Sequence, residues 1–200
     1  MKKIRFVLAS GSPRRIELLS QMGYRFQVVI PKVDETPVRG EKAQALVLRL
    51  AQLKAKTAAR KIPKKNLMVL AADTCVVEPV KKRILGKPES NHEAARMLNQ
   101  IQGRVHEVYT GYCLIGFDSK GKQFKFYRTV KTRVQIDKLS RKEILSYIRT
   151  REPMDKAGAY AAQGIGAGFI KKIIGSYTNV VGLPLVEVRR DLEKMIRRLK

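Results

Sequence analysis

IRFVLASGSPRRIELLSQMGYRFQVVI, residues 4–30, is the stretch whose reading decides the fold. The apolar run Ile4 to Ala9 reads as a buried strand. Ser12 then offers a capping hydroxyl, and Pro13 sits where a first helical residue loses nothing by lacking an N–H. Ile16, Leu19 and Met22 form the apolar stripe of the helix that follows, and Gly23 is placed to end it. Tyr24 to Ile30 returns to strand character with β-branched and aromatic residues. A β-loop-α-β opening of this kind predicts an α/β protein.

The rest of the chain repeats the alternation. A polar loop over Pro31 to Gly40 leads to a helical pattern from about Glu41 to Arg60, with Leu46, Leu50 and Leu53 on one face, closed by Pro63. Leu67 to Val77 is a continuous apolar strand. Ser90 with Glu93 forms a capping box opening a helix that Gly103 terminates. Val105 to Phe117 and Lys122 to Ile136 read as two long strands joined by Asp118-Ser-Lys-Gly121, which argues for a mixed sheet. Ser140 with Glu143 marks another capped helix, Gly158 to Gly168 is glycine-rich, Phe169 to Ile174 reads as a strand, and Leu185 to Leu199 as a closing helix. The expectation is one domain over residues 1–200, a mixed twisted sheet with flanking helices and no internal repeat.

Composition bounds the function. The 200 residues are 44% hydrophobic, enough for a sizeable core. No secretory leader pattern and no run of about 20 apolar residues is present, so the reading is a soluble cytoplasmic protein without a membrane partner. Cys75 and Cys113 lie in apolar runs and read as buried free thiols. The two histidines, His92 and His106, form no short-spaced ligand pair. A formal charge of +25 attracts polyanions without naming one. The basic residues are scattered, aromatics are sparse and no nucleic-acid-binding signature appears, so weak nonspecific nucleic-acid binding is the most that charge supports.

Two places carry chemistry. Ser10-Gly-Ser-Pro-Arg-Arg15 sets a small loop and two guanidinium groups at a helix N-terminus, where backbone N–H groups and arginine forks favour phosphate. Arginine in a first turn opposes the helix dipole, and an anionic ligand resolves the conflict. Asp73 interrupts the apolar run LMVLAADTCVV (67–77), and burying its carboxylate unpaired is costly. A metal ion or a basic partner stabilises it, and a carboxylate so placed can help activate water. Glu35 supplies a second carboxylate on a loop, while Lys54 and Lys87 by themselves read as solvated surface lysines.

In order, SGSPRRIELL, VDE, RLAQLKA, AADTCVV, LGKP, HEVYTG, EPMDKAGAY and NVVGLPL resemble the segments that define the Maf family, over nearly the whole chain. The resemblance implies a fold similar to the inosine triphosphate pyrophosphatase type, two lobes around a cleft, and divalent-metal-dependent cleavage of a nucleoside triphosphate to monophosphate and pyrophosphate. By motif position it implies that Ser10, Arg14, Arg15, Lys54 and Lys87 hold the triphosphate, and that Glu35 and Asp73 arrange Mg2+ or Mn2+ and water. A homodimer, and an association with bacterial septum formation, also come with the family. Arg14, Thr74 and Gln163 resemble the branch acting on dTTP and UTP. The branch acting on methylated guanine nucleotides tends to carry tryptophan, glutamine and glutamate at those places. Glu152-Pro-Met-Asp155-Lys156 matches a motif of the family, while its acids also read as helix caps or partners of the lysine; His106 matches the family too, and reads at least as readily as a hydrogen-bonded structural histidine as a chemical group. Ala161-Ala162-Gln163 departs from the usual glycine-isoleucine-glutamine while keeping the glutamine. The competing reading is a basic nucleic-acid-binding or septum-formation regulator with little nucleotide turnover.

Overall fold

The structure is a computed structural model that describes residues 4–199. In chain order it contains β1 (Arg5–Leu8), α1 (Pro13–Gln21), β2 (Gln27–Val28), α2 (Ala43–Arg60), β3 (Leu67–Val77), β4 (Ile84–Leu85), α3 (Asn91–Ile101), β5 (Val105–Phe117), β6 (Gln123–Ile136), α4 (Arg141–Arg149), β7 (Ile170–Ile174), α5 (Tyr177–Val181) and α6 (Leu185–Leu199), with short 3-10 turns between residues 152 and 169. The seven strands make one sheet in the order β2-β1-β3-β5-β6-β7, with β4 paired to β3. β1 is parallel to β2 and β3, whereas β4 is antiparallel to β3 and β7 to β6. The sheet is therefore mixed, as the strand pattern predicts.

Two compact units interleave along the chain. One comprises the described residues up to 73, residues 110–130 and those from 182 onward; the other comprises 74–109 and 131–181. Each has its own core. In the first, Val7, Leu67, Val69, Cys113 and Ile115 pack against the alanine face Ala51, Ala55 and Ala58 of α2. Small side chains bring this helix close to the sheet, and Gly111 of β5 completes the approach: a Cβ there would stand 2.6 Å from the carbonyl of Val47. In the second, Met97, Leu98 and Ile101 of α3 meet Val134 and Ile136 of β6 and Ile144 and Tyr147 of α4. Both cysteines are buried thiols, not joined in a disulfide.

Several local expectations need correcting. Ser12 occupies the position before α1 in extended conformation, yet its side chain makes no capping bond. Its backbone N–H instead donates to Ser10 Oγ at 3.2 Å. Of the strand expected over Tyr24 to Ile30 only Gln27–Val28 forms β2, and its pairing with β1 ends where Val29 N–H donates to the Leu8 carbonyl at 3.0 Å. On α2 the buried stripe includes Lys54 while Leu53 is only partly buried. Ser90 caps α3, but the Glu93 carboxylate turns to the N–H of Glu89, so only half the box forms. The reciprocal box at Ser140 and Glu143 is complete. β4, α5 and the 3-10 turns carry no strong periodic signal and were not expected.

α6 is anchored by one buried acid. Asp191, 1% exposed, accepts from Tyr112 Oη at 2.7 Å and from Arg128 Nε and Nη2 at 2.8 and 3.2 Å. Asp191→Ala strands the tyrosine hydroxyl and unpairs a half-exposed guanidinium, and should cost about 2 kcal/mol in urea unfolding. An unchanged midpoint and slope would show that the triad contributes nothing.

In the second unit His106 is fully buried, with Nε2 2.8 Å from Tyr160 Oη. Burial pushes its pKa down to about 4. Below the ordinary histidine value the unfolded chain takes up this proton and the folded one does not, so stability is lost as pH falls from 6.5 towards 4. The full loss is on the order of 3 kcal/mol. Unfolding free energies measured across that window should fall less steeply for His106→Gln than for the parent protein, and identical slopes would refute a buried neutral histidine.

Candidate active site

The first unit assembles its charged groups around the C-terminal end of β1. Backbone pairing continues one residue past the strand, where Ala9 N–H donates to Leu70 carbonyl at 2.7 Å, and the chain then turns through Ser10-Gly11-Ser12 into α1. Ser10 is buried, and its hydroxyl oxygen accepts from Ser12 N–H at 3.2 Å and from Arg15 Nη1 at 3.5 Å. Arg15 Nε donates to the Gly182 carbonyl at 2.8 Å, which fixes the plane of the guanidinium. Burial draws the Arg15 pKa below its ordinary value; the negative charge of Asp73 opposes this, Arg14 reinforces it and Glu35 opposes it. Arg15 therefore shares one electrostatic environment with both carboxylates. Arg14, partly buried, stands beside it in the first turn of α1.

Asp73 lies in the strand whose other residues, Thr74 excepted, are all buried. Its partner is Lys54: Nζ donates to Asp73 Oδ1 at 2.6 Å and stands 2.8 Å from Glu35 Oε1. Lys54 is only 8% exposed, and the Glu35 side chain is 55% exposed. One ammonium thus holds two carboxylates together, one from the core and one from a solvent-facing loop. The surface reading of Lys54 fails because the lysine belongs to the stripe Val47, Leu50, Ala51, Lys54, Ala55, Ala58. That spacing was the signal available in the sequence, a lysine where helical periodicity calls for an apolar residue.

Hard carboxylate oxygen donors suit Mg2+ or Mn2+. Glu35 and Asp73 offer such donors within 2.8 Å of a common point, now taken by the ammonium. Among the described residues no group of three or more His, Cys, Asp or Glu side chains is arranged to hold a metal. The residues fit a cation that takes its remaining ligands from phosphate oxygens and water, the usual habit of Mg2+.

The second unit holds the remaining expected residues. Thr74 follows Asp73 in β3 and is partly exposed, and Lys87 is exposed in the segment after β4. Gln163 is partly buried in the glycine-rich loop. That loop is organised by Glu152, whose carboxylate accepts from Ile165 N–H, Gly166 N–H and Tyr147 Oη at 3.0, 2.9 and 2.8 Å. Burial raises the Glu152 pKa, but these donors outweigh it and hold the group below the usual carboxylate range. Glu152 therefore neither caps a helix nor ion-pairs with Lys156; it is Asp155 that pairs with that lysine. His106 is structural, as described. The roles of Glu152 and Tyr147 escaped the sequence reading, because their partners are backbone N–H groups 13 and 14 residues on, which no local spacing announces.

The chain is similar to known proteins over nearly its whole length. The chain is 47% identical over 194 residues to a protein of Pelotomaculum thermopropionicum named dTTP/UTP pyrophosphatase, covering 97% of each chain. A protein of the same name from Agrobacterium fabrum is 45% identical over 190 residues, covering 92% of this chain and 89% of that one. Among solved structures, a HAM1 protein from Coxiella burnetii superposes with a TM-score of 0.51 at 14% identity over 96% of this chain and 99% of that one. The Staphylococcus aureus Ham1 protein gives 0.50 at 16% identity over 95% and 98%. These two likenesses concern the fold, and they bear out the expected α/β architecture. Residues 5–195 match the family described as Maf-like protein, and the chain belongs to that family.

Proposed function

We propose that this protein is a nucleoside triphosphate pyrophosphatase that hydrolyses dTTP and UTP to the monophosphate and pyrophosphate. The observation that carries the reading is the buried Lys54 ammonium bridging Asp73 and Glu35, beside an arginine whose plane is set by a backbone carbonyl. Cations and carboxylates in one place suit a metal triphosphate better than any neutral ligand. The shared names of relatives 45 to 47% identical support the choice of nucleotide.

In the reaction a water attacks the α-phosphorus, the bond from that phosphorus to the oxygen bridging the β-phosphorus breaks, and pyrophosphate leaves with the electron pair. Ser10, Arg14 and Arg15 bind phosphate oxygens at the start of α1, where backbone N–H groups and guanidinium forks converge. Lys54 and Lys87 add positive charge as negative charge grows on the leaving oxygens. Asp73 orients the water and accepts its proton, with Glu35 steadying the Lys54 ammonium. The Mg2+ or Mn2+ ion that Asp73 and Glu35 would hold supplies charge neutralisation at the phosphates. Gln163 meets the base: its amide both donates and accepts, matching the carbonyl and N3–H edge of uracil and thymine. Thr74 lines the same substrate. A regulator that binds nucleic acid without turnover has only the charge of +25 behind it, and gives the Lys54 group no task.

Asp73→Asn should lower kcat by at least about a hundredfold while circular dichroism shows the fold intact, since one charge is removed with little change in shape. Near-normal turnover of the folded variant would remove Asp73 from the mechanism. With one divalent metal, kcat/KM for UTP and dTTP should exceed that for 7-methyl-GTP. The two favoured substrates should differ by no more than about a hundredfold, since a single methyl contact is worth about 1 to 3 kcal/mol. A clear preference for 7-methyl-GTP would overturn the choice of base and leave the pyrophosphatase reading standing.

A further inference from the structure

The loop that carries Gln163 is tied down on both sides of that residue. Upstream, Ala161 N–H donates to Tyr147 Oη at 3.2 Å and the Ala162 carbonyl accepts from Tyr177 Oη at 3.4 Å. Downstream, Ile165 and Gly166 N–H both donate to the Glu152 carboxylate, and the same Tyr147 hydroxyl donates to Glu152 Oε1. Tyr147 and Glu152 are thus one connected clamp, hydroxyl on one shoulder and carboxylate on the other. Tyr147 is 2% exposed, and its ring is fixed edge-on to Phe169 with centroids 5.0 Å apart. The glycines of the loop are spaced for this contact. Gly164 has φ +75°, and a Cβ on it would lie 2.5 Å from Glu152 Oε2; a Cβ on Gly166 would lie 2.5 Å from Tyr147 Oη.

A backbone held this tightly around a single glutamine gives that side chain a defined origin. Discrimination between bases by hydrogen bonding requires such preorganisation, because a donor and an acceptor must both be in place before the base arrives. We infer that Glu152 and Tyr147 are positioning residues for base selection, presenting the Gln163 amide to the pyrimidine edge. The inference rests on the proposed contact of Gln163 with the base. A loop held only for stability would affect all substrates alike, whereas a clamp that aims Gln163 matters most for the base whose edge Gln163 matches. UTP and CTP separate the two, since cytosine replaces the carbonyl and N3–H with an amine and a bare nitrogen, and an amide held in one orientation matches only one of these edges.

The experiment measures kcat and KM for UTP and CTP in the parent protein, Gln163→Ala, Glu152→Gln, Tyr147→Phe and the double variant Glu152→Gln/Gln163→Ala. Glu152→Gln sets an amide N–H2 against one of the two backbone donors, and Tyr147→Phe removes the hydroxyl while keeping the ring, so it serves if the first variant does not fold. Gln163→Ala should narrow the UTP-to-CTP ratio of kcat/KM by about tenfold or more. Either clamp variant should narrow it by a comparable factor, more through KM for UTP than through kcat, and the double variant should narrow it no further than Gln163→Ala does. If Gln163→Ala narrows the ratio and the folded clamp variants lose UTP and CTP activity equally, the clamp proposal is overturned and the Gln163 contact survives. An unchanged ratio in Gln163→Ala overturns the underlying contact, and the clamp's role in selection with it.

Discussion

A carboxylate in the middle of an apolar strand cannot stay charged without a partner, and the pairing of Asp73 with the Lys54 ammonium is the constraint on which the first unit's site depends. The ammonium must itself leave water to reach Asp73, so α2 has to deliver it from within a buried face. Alanines at positions 51, 55 and 58 and the missing side chain at Gly111 let the helix approach closely enough for a lysine to fit that face. Glu35 then adds a second negative charge from solvent, giving the ammonium two partners. A buried ion pair is weak evidence for stability, because desolvation offsets much of its attraction. In the proposed reading the pair is preorganised charge, held ready for a ligand that replaces or joins it.

The chain has 42 basic residues and 17 acidic ones, and the buried acids are organising groups. Asp73 is met by an ammonium, and Asp191 by a guanidinium and a tyrosine hydroxyl. Glu78 is 2% exposed and accepts from the backbone N–H groups of Val80, Lys81 and Arg83, holding the turn before β4. Glu152 does the same for the loop around Gln163. Backbone donors cost no side-chain entropy and cannot move away, so acids satisfied in this manner shape loops. Asp73 differs in being met by a side-chain ammonium rather than by backbone donors.

Much of the excess positive charge stays outside these arrangements. Exposed lysines and arginines raise the local concentration of anionic ligands by long-range attraction, an effect that salt screens. The groups that distinguish one nucleotide from another work at contact distance. Charge therefore bears on encounter, while in the proposed reading the Lys54 pair and the Gln163 loop bear on what happens after it.

The alternation of strand and helix was legible in the sequence because hydrophobic periodicity is a local property. Leu67–Val77, Val105–Phe117 and Leu185–Leu199 have the limits that their apolar patterns predict. Elements held by sparse or nonlocal contacts were not legible: the strand at Gln27–Val28 shrinks to its paired residues, and the turns between 152 and 169 exist because a glutamate reaches forward to backbone N–H groups. Asp73 announced itself by violating the pattern of its own strand, and Ser10, Arg14 and Arg15 by clustering before a helix. Lys54 is the intermediate case, since its place in the α2 stripe was written in the sequence but its partner was not. Which carboxylate a lysine meets, and which loop a glutamate holds, depends on residues 13 to 19 positions or more away. Only tertiary packing sets those distances, because the free energy of a buried polar contact is decided by the groups that surround it and not by its neighbours along the chain.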